Sequence, residues 1–243
     1  MTLRASGINS PFQAIGTTHQ IDSLELIGTE GRDIVSIFAA PIIDTSINTL
    51  TGSDILNINS NNGAQNLDID LGAEPGVANI FSTAPGTTTT LALGRDDDIV
   101  NLGSSIVSNN GNLNTLQGEL NIDFGSGSDR LNANDAQSGG LQGYTLTDSQ
   151  ITSTSGGGVR NFAGVNYTGA EFLQLQANAQ FSEVTVTPSA NVRYLLDGNL
   201  PQTNQLTITG SSDDGRQLFT TGDFAGTWTF DFFRDIQFEQ FAI

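Results

Sequence analysis

Apolar and polar residues alternate with a period of two along much of the chain. Leu67-Asp68-Ile69-Asp70-Leu71 places three apolar side chains on one face and two carboxylates on the other, and Leu120-Asn121-Ile122-Asp123-Phe124 repeats this design. Such alternation is typical of half-buried β-strands. Clusters of Gly, Asn, Asp and Ser separate the strands, as turns require. Further short strands are predicted at 24–26, 35–37, 56–58, 91–93, 100–102, 173–175, 184–186, 206–208 and 228–232. A short helix is expected near residues 8–20.

Four units share the pattern Asp-x-φ-x-φ, in which φ is an apolar residue. They begin at Asp33, Asp54, Asp98 and Asp129, so their steps are 21, 44 and 31 residues. Apolar pairs also recur about 11 residues apart, as from Leu24 to Val35. A step near 21 predicts one coil of a β-solenoid, and a step near 11 predicts one side of that coil. A coil cannot bury its inner face alone, so stacked neighbours supply the core.

The predicted fold class is therefore all-β, a parallel β-helix or β-solenoid with irregular loop insertions. Residues 72–90 and 103–119 are expected to be loops that leave the stack. The alternative is a pair of antiparallel β-sandwich domains, because strands spaced by 8–12 residues fit that architecture as well.

A longer repeat organises the whole chain. Leu24-Glu25-Leu26 recurs as Leu173-Gln174-Leu175, and the following apolar positions stay in register. The interpretation is a single domain, 1–243, built from two related units at about 20–165 and 166–243. A boundary is conceivable at 155–160, around Gly156-Gly157-Gly158.

Composition narrows the function. The chain has 26 acidic residues against 8 arginines, one His, no Lys and no Cys, and its net charge is −18. A phosphate backbone would be repelled, which argues against nucleic-acid partners. Disulfides, cysteine-ligated zinc and lysine chemistry are impossible, and a Ser-His-Asp enzyme could use only His19. No apolar run approaches the ~18 residues that suggest a membrane span. An Asp-rich chain without Cys favours an extracellular or cell-surface location.

The second half of the chain resembles a known kind of protein. The segments that carry the resemblance are Gly169-Ala170-Glu171-Phe172-Leu173-Gln174-Leu175, Val184-Thr185-Val186-Thr187-Pro188, Leu196-Asp197-Gly198-Asn199-Leu200-Pro201 and Asn204-Gln205-Leu206-Thr207-Ile208. They resemble the repeating modules of very large secreted surface proteins of bacteria, such as cyanobacteria and planctomycetes. The resemblance covers residues 165–243 well and 20–60 fairly. It implies a secreted, repetitive and non-catalytic architecture.

A second resemblance concerns calcium. Gly125-Ser126-Gly127-Ser128-Asp129-Arg130-Leu131-Asn132 is similar to the RTX nonapeptide G-G-x-G-x-D-x-φ-x, with Phe124 in place of the first Gly. In RTX proteins, turn carbonyls and Asp carboxylates of successive coils bind calcium, which prefers oxygen ligands. The resemblance implies a calcium site at Gly125, Gly127 and Asp129, with partial matches at Asp33, Asp54 and Asp98.

Other readings of the same residues stay open. The run Asp96-Asp97-Asp98 could hold a cation or form a solvated turn beside Arg95. The Asp and Gly residues of the repeats could simply build turns. Arginines next to the aspartates could also replace a lost cation; they are Arg32, Arg95 and Arg130.

We expect a non-enzymatic extracellular structural or adhesive module. The sequence near Ile243 resembles the start of another unit, so we expect that this end either continues in a longer native protein or docks head-to-tail on another subunit. A cell-surface polysaccharide is a further possible partner, whereas nucleic acid and membrane insertion are not expected. One alternative is a calcium-responsive secreted protein. The other is a polysaccharide-active enzyme that uses two carboxylates, for which the candidates are Asp68, Asp70 and Asp123.

Overall fold

A computed structural model of the chain describes residues 2–6, 22–38, 43–61, 65–103, 111–155, 162–178, 180–199, 204–210 and 214–241. The strands of the first half are β1 (Thr2–Ser6), β2 (Ser23–Ile27), β3 (Ile34–Ile37), β4 (Asp44–Asn48), β5 (Ile55–Ile58), β6 (Asn66–Asp70), β7 (Val77–Ile80), β8 (Thr88–Ala92), β9 (Ile99–Leu102) and β10 (Glu119–Asp123). The later strands are β11 (Arg130–Asn134), β12 (Leu141–Leu146), β13 (Gln150–Ser155), β14 (Val165–Thr168), β15 (Phe172–Gln176), β16 (Phe181–Val186), β17 (Arg193–Asp197), β18 (Gln205–Ile208), β19 (Gln217–Gly222), β20 (Ala225–Thr229) and β21 (Ile236–Glu239). A 3-10 turn lies at Leu113–Thr115.

These strands form two sheets. Within the described ranges, the first sheet has the order β1-β2-β4-β6-β8-β10-β14-β13-β12-β16-β18, and the second has the order β19-β20-β21-β17-β15-β11-β9-β7-β5-β3. From β2 to β11 the chain alternates between the two sheets, and every strand is parallel to its neighbours in that region. One strand from each sheet therefore makes one coil. The prediction of an all-β, largely parallel solenoid is confirmed.

The strand register explains the Asp-x-φ-x-φ units. Val35 lies beside Leu56, Leu56 beside Ala78, and Ala78 beside Val100. The row continues through Leu131. The 44-residue step spans two coils, because the coil that contains Ala78 has no Asp at the equivalent position. From Leu56 onward these side chains are fully buried, so each coil closes the core of the next.

One hydrophobic core runs through the stack. It extends along the chain from Ile47 to Phe241 without a break between the two predicted units. Threonines also point inward, and Thr45 and Thr89 are buried. The predicted loop at 72–90 is wrong, because β7 and the start of β8 belong to the stack. Its polar threonines and the absence of an Asp before β7 concealed these strands. The described part of 103–119 forms no strand before Glu119, as expected.

A hairpin interrupts the regular winding. Strand β13 is antiparallel to both β12 and β14. The first sheet therefore has three strands between β10 and β16, where a regular coil would supply one. The second sheet gains two positions at its end, where β20 and β19 follow β21. The inward side chains at this irregular level include Tyr144, Tyr167 and Tyr194, all of which are buried. These tyrosines therefore pack the core.

Some predictions concern residues outside the described ranges. They are the short helix near 8–20, His19, the possible boundary at Gly156-Gly157-Gly158 and the last residue, Ile243. Among the helical segments that the structure describes, none has the length and hydrophobicity to cross a membrane.

Candidate metal site

The four repeated aspartates occupy one row along the column. Asp33, Asp54, Asp98 and Asp129 each come directly before a strand of the second sheet, at the corner where the chain arrives from the first sheet. Gly76 holds the equivalent position in the coil between Asp54 and Asp98. We call the four acids the aspartate row. All of them are buried, with at most 4% of the residue surface exposed.

In three of these carboxylates, those of Asp54, Asp98 and Asp129, one oxygen accepts a backbone N–H of the preceding coil. Asp54 Oδ1 accepts the N–H of Asp33 at 2.7 Å, and Asp98 Oδ1 accepts the N–H of Gly76 at 2.6 Å. Asp129 Oδ1 accepts the N–H of Asp98 at 2.8 Å. Glu171 continues the pattern by accepting the N–H of Asp129 at 2.7 Å. A buried N–H without a partner is costly, so these bonds hold successive corners together.

No described strand of the second sheet precedes the one that follows Asp33, and the carboxylate of Asp33 turns to its own corner. The backbone N–H of Thr29 donates to Asp33 Oδ2 at 2.7 Å, and the Thr29 hydroxyl lies 3.2 Å from Oδ1. Asp33 is thus satisfied locally, while the other three acids of the row connect different coils.

The second oxygen of the three connecting aspartates is buried without a hydrogen-bond partner in the described residues; these atoms are Oδ2 of Asp54, Asp98 and Asp129. Burial, together with the nearby carboxylates of Asp129, Asp96 and Asp97, raises the pKa of Asp98 to about 7 despite the opposing effect of the bond from Gly76. Burial, together with the carboxylates of Glu171 and Asp97, likewise raises the pKa of Asp129 to about 6. The pKa of Asp54 rises for the same primary reason, which is desolvation of the charged form.

Among the described residues, no arginine forms an ion pair with this row. In the part of the chain that the structure describes, the salt bridge present joins Arg216 to Asp214 at 2.7 Å, far along the sequence from these corners. The Arg130 guanidinium lies over the Phe172 ring, 5.5 Å from its centroid. The expectation that Arg32, Arg95 or Arg130 could replace a cation at these aspartates finds no ion pair to support it.

The remaining predicted ligands lie in the two corners that end at Asp98 and Asp129. Gly125 begins the second of these corners, with a φ of +76°. Gly127 lies so close to the preceding corner that a Cβ atom would come 2.0 Å from the carbonyl oxygen of Asp96. Asp96 itself is exposed. The structure thus brings together Asp96, Asp98, Gly125, Gly127 and Asp129, whereas Asp33 and Asp54 lie earlier in the row.

Calcium needs six to eight oxygen ligands around one point. The row supplies the right kind of atom, since its free oxygens are carboxylate oxygens. Among the described residues, however, no group of three or more Asp, Glu or His side chains converges closely enough to hold a metal ion. The calcium site at Asp129 therefore stays a prediction.

The sequence reasoning missed a second structural use of Asx residues. At the end of strands in the first sheet, a side-chain oxygen accepts the N–H two residues later. The Oδ1 atom of Asn48 accepts the N–H of Leu50 at 2.8 Å. In the same way, Asp70 accepts the N–H of Gly72 at 2.9 Å and Asp123 accepts that of Gly125 at 3.1 Å. The Asx turns at Asn48 and Asp123 open corners that the aspartate row closes, and the one at Asp70 opens the corner that ends at Gly76. Asp70 and Asp123, two of the suggested catalytic carboxylates, thus have a turn-forming role.

An open groove of about 540 Å³ lies on the outer face of the first sheet, beside the inserted hairpin. Amide side chains cross it in a chain of hydrogen bonds. Gln150 donates to Asn166 at 2.9 Å, and Asn166 donates to Asn121 at 2.8 Å. Thr168 donates to Asp123 at 3.0 Å within the same groove. Amide, hydroxyl and carboxylate groups can bind sugar hydroxyls, and the polysaccharide partner remains a prediction.

Comparison of the chain with protein-family models, with curated proteins and with solved structures finds no match. The similarity to modules of bacterial surface proteins therefore rests on the sequence motifs alone. The structure adds the repeated strands in parallel sheets, which are compatible with such modules.

Proposed function

We propose that the chain is a non-enzymatic structural or adhesive module of an extracellular or cell-surface assembly. The observation that carries this proposal is the single core that links both sheets from Ile47 to Phe241. A column of this kind resists bending because every coil is hydrogen-bonded to its neighbours. It holds surface side chains at the spacing of β-strands, roughly 4.8 Å, and so acts as a spacer that positions contacts.

The outer face of the second sheet supports a load-bearing role. A row of amides joins five successive coils, because each side chain donates to the one before it. Asn57 donates to Ser36 at 3.3 Å, Asn79 to Asn57 at 2.9 Å and Asn101 to Asn79 at 2.8 Å. Asn132 completes the row by donating to Asn101 at 2.9 Å. These side-chain bonds run alongside the backbone ladder and add to the stiffness of the column.

Small-angle X-ray scattering combined with calorimetry tests the scaffold. We expect an elongated particle and one cooperative unfolding transition for residues 22–241. Two transitions, or a distance distribution of two compact bodies, would contradict a single column. A parallel assay should incubate the protein with neutral and acidic glycans and measure new reducing ends. Glycan cleavage that disappears in Asp123→Asn would replace the scaffold proposal with the enzyme alternative.

A calcium-responsive role is the second candidate. It is supported by the buried, unpartnered oxygens of Asp54, Asp98 and Asp129, whose charges a cation would offset. Thermal melting after EDTA treatment should then shift upward on addition of millimolar calcium, and less with magnesium. The double variant Asp98→Asn with Asp129→Asn should lose the shift. An unchanged melting temperature at millimolar calcium would remove this candidate and leave the scaffold intact.

A further inference from the structure

Among the described residues, inward-facing apolar side chains stay partly exposed at both ends of the column. Eight inward-facing apolar residues pack against the core yet remain only partly buried; they are Leu26, Val35, Ile37, Leu206, Ile208, Leu218, Trp228 and Phe230. Three of them belong to the coil of β2 and β3, and the other five lie between the start of β18 and the residue that follows β20. Partial exposure of these inward-facing side chains therefore concentrates at the two ends, while the coils between them bury theirs.

Among the described residues, the first end face is formed by β1 and β3, the outermost strands of the first and second sheets. Strand β3 has β5 as its hydrogen-bonded partner. Its inward residues Val35 and Ile37 are half-buried. Ile34 and Phe38, at its two ends, are 65% and 74% exposed. We call this surface the β3 end.

The second end face is formed by β18 and β19, the outermost strands of the first and second sheets. Leu206 and Ile208 point inward from β18 but are only half-buried, and so is Leu218 on β19. Phe219 is 55% exposed beside them. We call this surface the β18 end. Its edge strands carry backbone groups of the kind that recruit another strand.

The two ends are opposite faces of the same stack. Within the chain, each regular coil packs its inward apolar side chains against the preceding coil and pairs its strands with the strands of that coil. Strand β18 is parallel to β16, so its free edge has the direction of the regular coils. A second copy that places its β3 end on the β18 end would continue the interface that already joins the coils.

From this continuity we propose that the β3 end of one copy docks on the β18 end of another, so that columns assemble head to tail. The proposal rests on the scaffold function and names its partner, which is the same chain. The contact is heterologous, because two different faces meet, and it therefore allows open filaments in place of closed dimers.

Charge sets the conditions for this contact. The net charge of −18 makes copies repel each other. At ~0.15 M salt the screening length is about 8 Å, and it shortens as salt is added. We expect self-association to strengthen with salt, as an apolar contact between acidic bodies should.

Analytical ultracentrifugation of the full chain at rising concentration, in 0.15 M and 0.5 M NaCl, tests the proposal. The unmodified chain should form a series of oligomers. Val35→Asp, which charges the β3 end, and Leu206→Asp, which charges the β18 end, should each weaken association at least tenfold. An equimolar mixture of the two variants should form heterodimers, because each retains one intact face. Leu141→Asp is the control, since Leu141 is 54% exposed on β12, two strand positions away from β18.

Each outcome is decisive. A monomer at all concentrations and salts would overturn the docking proposal while leaving an elongated scaffold standing. Association of Val35→Asp alone at the level of the unmodified chain would also overturn it, because it would indicate contact between two β18 ends. Circular dichroism must show that each variant folds. If either fails to fold, Phe38→Asp and Phe219→Asp, at exposed positions, take their places and carry the same expectations.

Discussion

Asp129 Oδ1 accepts a hydrogen bond of 2.8 Å from the backbone N–H of Asp98, which lies 31 residues earlier. This bond converts a sequence repeat into a contact between coils. The Asp at the start of one Asp-x-φ-x-φ unit accepts a hydrogen bond from the backbone at the start of the preceding unit. The apolar positions of the same units then stack directly, as Val100 does on Leu131.

The free energy of unfolding should fall between about pH 4 and pH 8. The ordinary Asp pKa of 3.8 rises to about 7 at Asp98 and about 6 at Asp129 when the chain folds. The folded state therefore binds more protons in this range, and this stabilisation is complete below pH 3.8 and is lost as the pH passes the folded pKa values. Urea unfolding at several pH values measures the effect.

The matched variants for this prediction are Asp98→Asn and Asp68→Asn. An amide at position 98 keeps the acceptor for the Gly76 N–H and carries no charge, so we expect it to flatten the pH dependence and stabilise the protein at pH 8 by about 1 kcal/mol or more. Asp68 is exposed and should leave the profile nearly unchanged. Equal pH profiles for Asp98→Asn and the unmodified chain would show that this carboxyl does not titrate as proposed.

Asp54→Ala should destabilise the protein more than Asp54→Asn. Alanine leaves the buried N–H of Asp33 without its acceptor at 2.7 Å. Loss of such a partner costs about 1–3 kcal/mol, whereas asparagine can keep the bond. Chemical denaturation of the two variants at pH 7 gives the comparison. Equal losses of stability would mean that the acceptor contributes little.

Gly76→Asn should stabilise the column by about 1 kcal/mol, since it restores a missing acceptor for the N–H of the preceding coil. A Cβ atom at position 76 would lie 3.3 Å from Asp98 Oδ1 and 3.4 Å from Leu71 Cδ1, which is tight but free of backbone overlap. Gly94→Asn is the opposite case, because Gly94 has a φ of +97° and a Cβ there would approach the Gly72 carbonyl oxygen to 1.7 Å. Thermal melting should rise for the first and fall for the second. A lower melting temperature for Gly76→Asn would contradict the idea of a missing rung.

Tyr144→Phe should cost about 1–3 kcal/mol of stability. The Tyr144 hydroxyl donates to Asp135 Oδ2 at 2.5 Å, and burial raises the pKa of that carboxyl. Tyr194→Phe is the matched control, because the Tyr194 hydroxyl is buried without a partner in the described residues. Loss of the Tyr194 hydroxyl should leave the free energy of unfolding unchanged or raise it slightly. Similar unfolding energies for the two variants would rule out a special role for the Asp135 contact.

The repeat and the fold class could be predicted because the inward positions of several coils are unmistakably apolar. Leu56, Ile58, Val100 and Leu102 alternate with polar residues, and the Asp before them marks each corner. The coil length follows from the 21-residue spacing between Asp33 and Asp54. Strand β4 was hidden because Thr45, a polar residue, faces inward there, and β7 was hidden because Gly76 replaces the Asp.

The site was harder to predict than the fold. The spacing indicates that Asp98 and Asp129 lie in adjacent coils, yet it does not show which way their side chains turn. Both a calcium ligand and a backbone acceptor require a carboxylate at a corner. Three-dimensional packing decides between these two roles. In Asp98 and Asp129, Oδ1 accepts a backbone N–H of the preceding coil. The inserted hairpin β12–β13 has no regular repeat and could not be anticipated.

The central claim is that the coils stack in one column, and a distance between spin labels tests it most directly. The chain lacks Cys, so Ser36→Cys and Gln174→Cys provide two unique labelling sites. These positions lie in one outward row of the second sheet, five strand spacings apart. Double electron–electron resonance should give one population of label-to-label distances centred at roughly 24 Å and broadened by the label linkers. A population beyond roughly 40 Å, or two separate populations, would contradict the stacked column.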